Sequence, residues 1–232
     1  MAKKQKVSLS PNTTELILGL AYLAVQFFLL PSLLNFLETC LPFRLTASWR
    51  NILYYGINFL AVVLIFHRFL RNNLSHLSKN LWESLKALIL GYVFYWVLNW
   101  AVSFVLTRLV PGFSNVNDSN LRSMLRENFW PLAVCLVFLV PLSEEVLFRG
   151  VIFGGLYHKN KTAAFIIGTA LFAAIHVVGY IGAYSPLMLI ACFVQYIPAG
   201  LCLAWSYMES GSIFVPIVIH SVINAMGVAA MR

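Results

Sequence analysis

The chain has 232 residues, of which 60% are hydrophobic and only 10% charged, and its mean hydropathy is +0.81. Soluble domains hold about 45–50% apolar and about 25% charged residues, so this composition excludes a soluble protein, a disordered chain and a cysteine-dense secreted scaffold. The sequence therefore predicts an integral membrane protein. Its sixteen Lys and Arg exceed its eight Asp and Glu. Because many of the basic residues flank apolar segments, they indicate membrane anchors and topology signals, and we expect no nucleic-acid partner.

Apolar segments predict an all-α, polytopic membrane helix bundle, with room for seven to eight transmembrane helices of about 20 residues each. The segments end at charged residues or at Pro, Gly, Asn and Ser, and they occupy residues 13–37, 50–70, 84–110, 129–156, 162–178, 186–207 and 212–231. No repeat or linker divides the chain. We expect a single integral membrane domain over residues 1–232, with the polar motifs in a core at about 129–232. The polar connection at 111–128 is interpreted as an interfacial segment.

Basic residues also predict the orientation of the bundle. Lys3, Lys4 and Lys6 precede the first apolar segment, which is longer than a signal-peptide core, so we expect a retained first helix. With these lysines in the cytoplasm, the basic loops near 68–79 and 159–161 lie on the same side, as the positive-inside rule requires. The sequence therefore predicts a cytoplasmic N-terminus.

Two adjacent glutamates lie inside an apolar segment, where an ionisable side chain is costly and is a functional candidate. They are Glu144 and Glu145, whereas the other acidic residues lie in loops or near the ends of the spans. Glu145 and Arg149 are four residues apart with the acid first, which predicts an ion pair that keeps Glu145 ionised and fixes the helix rotation. Adjacent side chains point about 100° apart on a helix, so we expect the two carboxylates to face different partners.

Two further apolar segments each carry a histidine. Phe172 and His176 share one helix face, and His220 and Asn224 share another, because each pair is four residues apart. A single histidine on such a face is more often a helix–helix hydrogen bond than a catalyst. Two histidines, an asparagine and two glutamates on three otherwise apolar spans instead predict one shared polar site, since buried polar groups need partners. Asn58 and Asn99, also inside spans, are interpreted as interhelical hydrogen bonders.

These side chains suit the activation of water for hydrolysis. Glu144 would take the proton from water, and His176 would orient that water. His220 and Asn224 would donate hydrogen bonds to the developing oxyanion, a contribution of about 2.7–4 kcal/mol per donor. A zinc ion bound by Glu144, His176 and His220 is the alternative. We favour a metal-independent site because no closely spaced ligand pair prepares a metal site, so we assign no metal, and zinc is the cofactor to test.

Three motifs with four-residue spacing resemble the signature of the CPBP family, the CAAX proteases and bacteriocin-processing enzymes, also called Abi. In chain order they are Glu144-Glu145-x-x-x-Arg149, Phe172-x-x-x-His176 and His220-x-x-x-Asn224. The resemblance extends from about Pro131 to the C-terminus. It implies a CAAX-protease-like intramembrane endopeptidase, often labelled a metalloprotease, in which the first glutamate and the first histidine activate water and the last two residues bind the oxyanion.

The chain is more similar to bacterial members, implicated in peptide maturation, pheromone processing, bacteriocin immunity and sensor-kinase regulation, than to enzymes that trim prenylated proteins. We therefore expect an endopeptidase in a bacterial plasma membrane that hydrolyses a peptide bond of a peptide or membrane-associated protein. The main alternative is a non-catalytic membrane immunity or scaffold protein that binds a sensor or cell-envelope partner. A proton-coupled transporter is a second alternative, but the sequence shows no inverted repeat.

Overall fold

The computed structural model describes residues 10–232, so Lys3, Lys4 and Lys6 lie outside the described part of the chain. The described residues form an all-α bundle, as predicted, and seven of its helical segments are long and apolar enough to cross a membrane; the fifth is α-helical to Ile175 and ends in a 3₁₀ turn at Val178–Tyr180. In chain order the helices are α1 (Thr13–Thr39), α2 (Ala47–Ile65), α3 (His67–Lys79), α4 (Leu81–Leu109), α5 (Val116–Glu127), α6 (Phe129–Tyr157), α7 (Lys161–Ile175), α8 (Pro186–Ser210) and α9 (Phe214–Met231).

Local sequence signals set the helix ends close to where the hydropathy pattern predicts them. Asn12 and Glu15 form a capping box at the start of α1, and the Asn160 side chain caps α7. Ser185 caps α8, whose first residue is a proline, and Gly211 closes the same helix in the left-handed conformation. These caps satisfy backbone groups that the helix itself leaves without partners.

One boundary prediction is wrong: the second span was expected to continue to residue 70, but α2 ends at Ile65. The basic stretch that follows was expected to be a loop and is instead the amphipathic helix α3. Its basic residues are exposed on one face, while Phe69 and Asn73 are buried on the other. The hydropathy pattern did not predict α3, because hydropathy detects long apolar runs and the apolar residues of α3 recur only on one face of a polar helix.

Helix α3 forms hydrogen bonds to the start of α1 and to the connection between α8 and α9. The backbone N–H of Phe69 donates to Glu15 Oε1 at 2.9 Å, which connects α3 to the start of α1. The side-chain oxygen of Asn73 accepts the backbone N–H of Ile213 at 2.8 Å, and His76 Nε2 donates to the Ser210 carbonyl at 3.1 Å. This end of the bundle is therefore a hydrogen-bonded framework.

The fourth span, α6, is the central helix of the bundle. In its most apolar 18-residue window, 56% of the residues are buried, against 6% in α4, so α6 is surrounded by protein while α4 lies at the periphery. Two π-helical turns interrupt α6, at Cys135–Leu139 and Val146–Phe153, and they flank the two glutamates. Such turns break the regular ladder of backbone hydrogen bonds and occur often at functional sites.

Helices α7 and α8 approach closely at Gly200. A Cβ atom there would lie 2.7 Å from Thr169 Cγ2, closer than real Cβ contacts, and 3.1 Å from Thr169 Cα, which is tighter than most of them. We therefore expect Gly200→Ala to separate the two helices and lower stability by about 1–3 kcal/mol, the usual cost of overpacking. Gly56→Ala is the matched control, because nothing lies within 4 Å of its added methyl group. Thermal unfolding in detergent would measure both, and equal stability of the two variants would contradict close packing at Gly200.

Candidate active site

The four residues predicted to be catalytic border one cavity of about 540 Å³ between the helices of the bundle. Glu144 comes from α6, His176 from the end of α7, and His220 and Asn224 from α9. The structure thus brings together side chains that are 80 residues apart in the sequence (224 − 144 = 80). The polar side chains that the sequence analysis grouped together therefore line the same cavity.

The predicted ion pair between Glu145 and Arg149 is present and buried. Arg149 Nε lies 3.1 Å from Glu145 Oε2, and the two side chains are 2% and 0% exposed. The guanidinium carbon also lies 4.0 Å from the centre of the Phe172 ring, a cation–π contact that explains why an aromatic residue stands one turn before His176. Arg149 therefore holds a carboxylate on α6 and an aromatic ring on α7 at the same time.

The expectation that the two glutamates face different partners is wrong, because both face His220. Its Nδ1 lies 2.8 Å from Glu145 Oε1, and its Nε2 lies 4.0 Å from Glu144 Oε2. An imidazole ring presents nitrogens in two directions, and the long glutamate side chains reach them despite the angle between their Cβ atoms. The ionised Glu145 can only accept a hydrogen bond, so Nδ1 carries a hydrogen and Nε2 faces Glu144.

His176 has its own fixed orientation. Its Nδ1 donates to the Phe172 carbonyl at 2.8 Å, which leaves Nε2 as the nitrogen with the lone pair in the neutral ring. The ring also stacks on Tyr196, with 4.0 Å between the ring centres and 24° between the planes. His176 can therefore accept a hydrogen bond or a proton at Nε2.

Glu144 and Asn224 differ in how fully their polar atoms are paired. Oε2 of Glu144 is buried and has no hydrogen-bond partner, although 18% of the side chain is accessible from the cavity. One N–H of Asn224 donates to the Leu136 carbonyl at 2.9 Å, within the first π-helical turn of α6. Its amide has a second N–H for another acceptor. A buried carboxylate oxygen without a partner is rare in proteins and suits a group that binds water or substrate.

The candidate zinc ligands do not form a ready metal site. Within residues 10–232, no three His, Cys, Asp or Glu side chains come together in a group that could hold a metal ion. Glu145 and the Phe172 carbonyl each engage the Nδ1 of one histidine, at 2.8 Å in both cases. Both bonds leave Nε2 of the histidine free, as in metal-ligating histidines, so Glu144, His176 and His220 keep donor atoms although they are not gathered into one ligand group.

Sequence reasoning missed most of the cavity wall. Polar residues from α1, α2, the start of α5 and α8 line it together with the four predicted residues; they include Gln26, Asn51, Tyr54, Asn115, Asn117, Asp118, Gln195 and Tyr196. The sequence feature that could have pointed to these wall residues was an asparagine or glutamine inside an apolar span. Asn58, flagged on that ground, accepts a hydrogen bond from Tyr22 at 2.7 Å, which confirms its interhelical role, and Asn99 borders the cavity.

Fold and site together define a polytopic helical membrane protein with a carboxylate–imidazole cluster in its interior. Residues 126–226 match the family model described as type II CAAX prenyl endopeptidase Rce1-like. All three motifs lie inside that stretch. The resemblance to the CPBP family is thereby confirmed over residues 126–226.

Two curated bacterial proteins are similar to the chain. UPF0177 protein YxdF from Lactococcus lactis subsp. lactis (strain IL1403) is 32% identical over 94 residues, which is 40% of this chain and 46% of that protein. Membrane-embedded CAAX protease MroQ from Staphylococcus aureus (strain USA300) is 29% identical over 140 residues, or 59% of this chain and 53% of that protein. The chain thus spans about half the length of the curated relatives it matches. No solved structure matches the chain.

Proposed function

We propose that the protein is an intramembrane endopeptidase that hydrolyses a peptide bond with water activated by Glu144 and His176. The observation that carries this proposal is the unpartnered Oε2 of Glu144, buried at a cavity that His176 also borders. A carboxylate held without a partner has a free lone pair for the proton of a water molecule. The similarity of residues 126–226 to CAAX endopeptidases supports the same chemistry.

The proposed reaction begins when Glu144 accepts a proton from water and the water oxygen attacks the carbonyl carbon of the scissile bond. His176 Nε2 accepts the second hydrogen of that water as a hydrogen bond and aligns its lone pair with the carbonyl. Attack converts the carbonyl oxygen into an oxyanion. When the tetrahedral intermediate collapses, the carbon–nitrogen bond breaks and Glu144 returns its proton to the leaving amine.

Asn224 and His220 would stabilise the oxyanion. Asn224 has a second N–H, and His220 donates from Nε2 when both of its nitrogens are protonated, since Nδ1 already donates to Glu145. The carboxylate of Glu145 offsets the positive charge of that ring, while Arg149 offsets Glu145.

No step needs a metal, and the substrate is proposed to be a peptide or membrane-associated protein in a bacterial plasma membrane. The basic face of α3 supports a cytoplasmic N-terminus.

The test is cleavage of a panel of lipidated and unlipidated peptides by the purified protein in detergent, with and without a chelator, while bound zinc is quantified. We expect cleavage that survives chelation and zinc well below one ion per chain. Activity that is lost to the chelator and restored by zinc would overturn the metal-independent mechanism. A folded protein that cleaves nothing, but restores the phenotype of a deletion strain as a Glu144→Gln variant also does, would favour a non-catalytic immunity or scaffold role.

A further inference from the structure

Tyr196 contacts His176 from a helix that carries none of the three motifs. It lies in the middle of α8, two residues before Pro198, and its ring stacks on the imidazole with 4.0 Å between ring centres. His176 is also held by the hydrogen bond that its Nδ1 donates to the Phe172 carbonyl. The Phe172 ring also contacts the imidazole, with 4.9 Å between ring centres and 58° between the planes, whereas Tyr196 lies nearly parallel to the imidazole and therefore restricts its plane most directly.

The hydroxyl group of Tyr196 is itself fixed by α5, a polar helix outside the spans. Asn117 Nδ2 donates to the hydroxyl oxygen at 3.1 Å, and the hydroxyl donates to Asn115 Oδ1 at 3.4 Å. Asn115 also caps α5 and donates from its amide to Gln195 at 2.8 Å. Tyr180, next to the end of α7, donates to Asn117 Oδ1 at 3.2 Å. Helices α5 and α8 thus form one hydrogen-bonded wall behind His176.

We propose that Tyr196 is a positioning residue: its ring, anchored to α5 through its hydroxyl group, holds His176 in the plane and tautomer in which Nε2 receives a hydrogen from the attacking water. This inference rests on the proposed function and adds a residue to it. It also gives α5 a role, because a helix outside the spans sets the orientation of an imidazole inside the bundle. A catalytic group that is out of position lowers the rate of the chemical step more than it weakens substrate binding. Loss of the Tyr196 ring should therefore lower kcat rather than raise KM.

The first test compares Tyr196→Phe, which keeps the ring and loses the hydroxyl group, with Tyr196→Leu, which loses the ring. We expect Tyr196→Leu to lower kcat about 10- to 100-fold with KM within about twofold, because the imidazole loses its flat support. Tyr196→Phe should lower kcat only about 2- to 10-fold, as expected for one lost hydrogen-bonded anchor. Phe28→Leu, at an exposed aromatic residue of α1 outside this hydrogen-bonded wall, is the control for loss of a ring and should leave kcat unchanged.

The second test needs no cleavage activity and therefore separates this inference from the proposed function. In protein labelled with ¹⁵N-histidine, the nitrogen resonances of His176 report which nitrogen carries the hydrogen, and a His176→Gln variant assigns them. We expect the Nδ1–H tautomer in the wild type and a mixture of tautomers in Tyr196→Leu. A single Nδ1–H tautomer in Tyr196→Leu, or a loss of kcat no greater than the loss of folded protein, would overturn the positioning role.

The link to α5 is tested by a double-mutant cycle. Asn117→Ala removes one of the two contacts of the Tyr196 hydroxyl group and leaves the bond to Asn115, so it should lower kcat by no more than Tyr196→Phe does. The double variant should lose little more than Tyr196→Phe alone, because Tyr196→Phe already removes the contact to Asn117. Fully multiplicative effects would contradict an anchor shared by the two residues.

Discussion

Glu144→Gln is expected to lower the rate of peptide cleavage by about 10²- to 10⁴-fold, the usual contribution of a general base, without lowering the yield of folded protein. The amide has nearly the shape of the carboxylate but cannot accept a proton. Because Oε2 of Glu144 has no hydrogen-bond partner within the protein, the substitution breaks no internal hydrogen bond at that atom. Steady-state cleavage and size-exclusion profiles in detergent would measure both quantities.

Two other glutamates serve as controls for this prediction. Glu83→Gln changes an exposed residue that pairs with Lys86 at 3.7 Å, so both activity and yield should remain at wild-type values. Glu145→Gln changes a carboxylate that is fully buried and bonded to His220 and Arg149, so its yield should fall together with its activity. If Glu144→Gln and Glu145→Gln lost yield equally, Glu144 would be a structural residue.

The sequence predicted the spans, and it predicted that these polar side chains would lie near one another, because both depend on the cost of placing a polar group in an apolar setting. Long apolar runs must be helical where no water satisfies the backbone, so seven spans followed from hydropathy. Ionisable groups in those runs must find partners, so Glu144, His176 and His220 were predicted to meet, and they border one cavity. The family motifs then located the site in the second half of the chain.

The pairing within the site could not be predicted, because spacing along one helix does not determine contacts between helices. The four-residue spacing predicted the bond from Arg149 to Glu145, but not that His220 would lie between both glutamates. The helices α3 and α5 were also missed, since their polar sequences carry no long apolar run. Tyr196 was missed for the opposite reason: an aromatic residue in an apolar span looks like any lipid-facing or core residue until its neighbours are known.

Arg149→Met is expected to lower the free energy of unfolding by about 3–5 kcal/mol, because it leaves the carboxylate of Glu145 buried without its cation. Methionine has a side chain of similar length and fills much of the same space, so the loss reports the charge rather than a cavity. Both side chains of the pair are at most 2% exposed, so water cannot replace the guanidinium. Denaturant or thermal unfolding in detergent, together with folded yield, would measure the change.

Lys86→Met is the matched control, since Lys86 and Glu83 form an exposed pair whose side chains are 49% and 46% accessible. Its loss should cost no more than about 1 kcal/mol. Adding Glu145→Gln to Arg149→Met should recover part of the lost stability, because the uncompensated charge disappears while the amide still accepts a hydrogen bond from His220. If Arg149→Met were as stable as Lys86→Met, the carboxylate of Glu145 would be neutral or solvated, and the charge balance proposed for the site would be wrong.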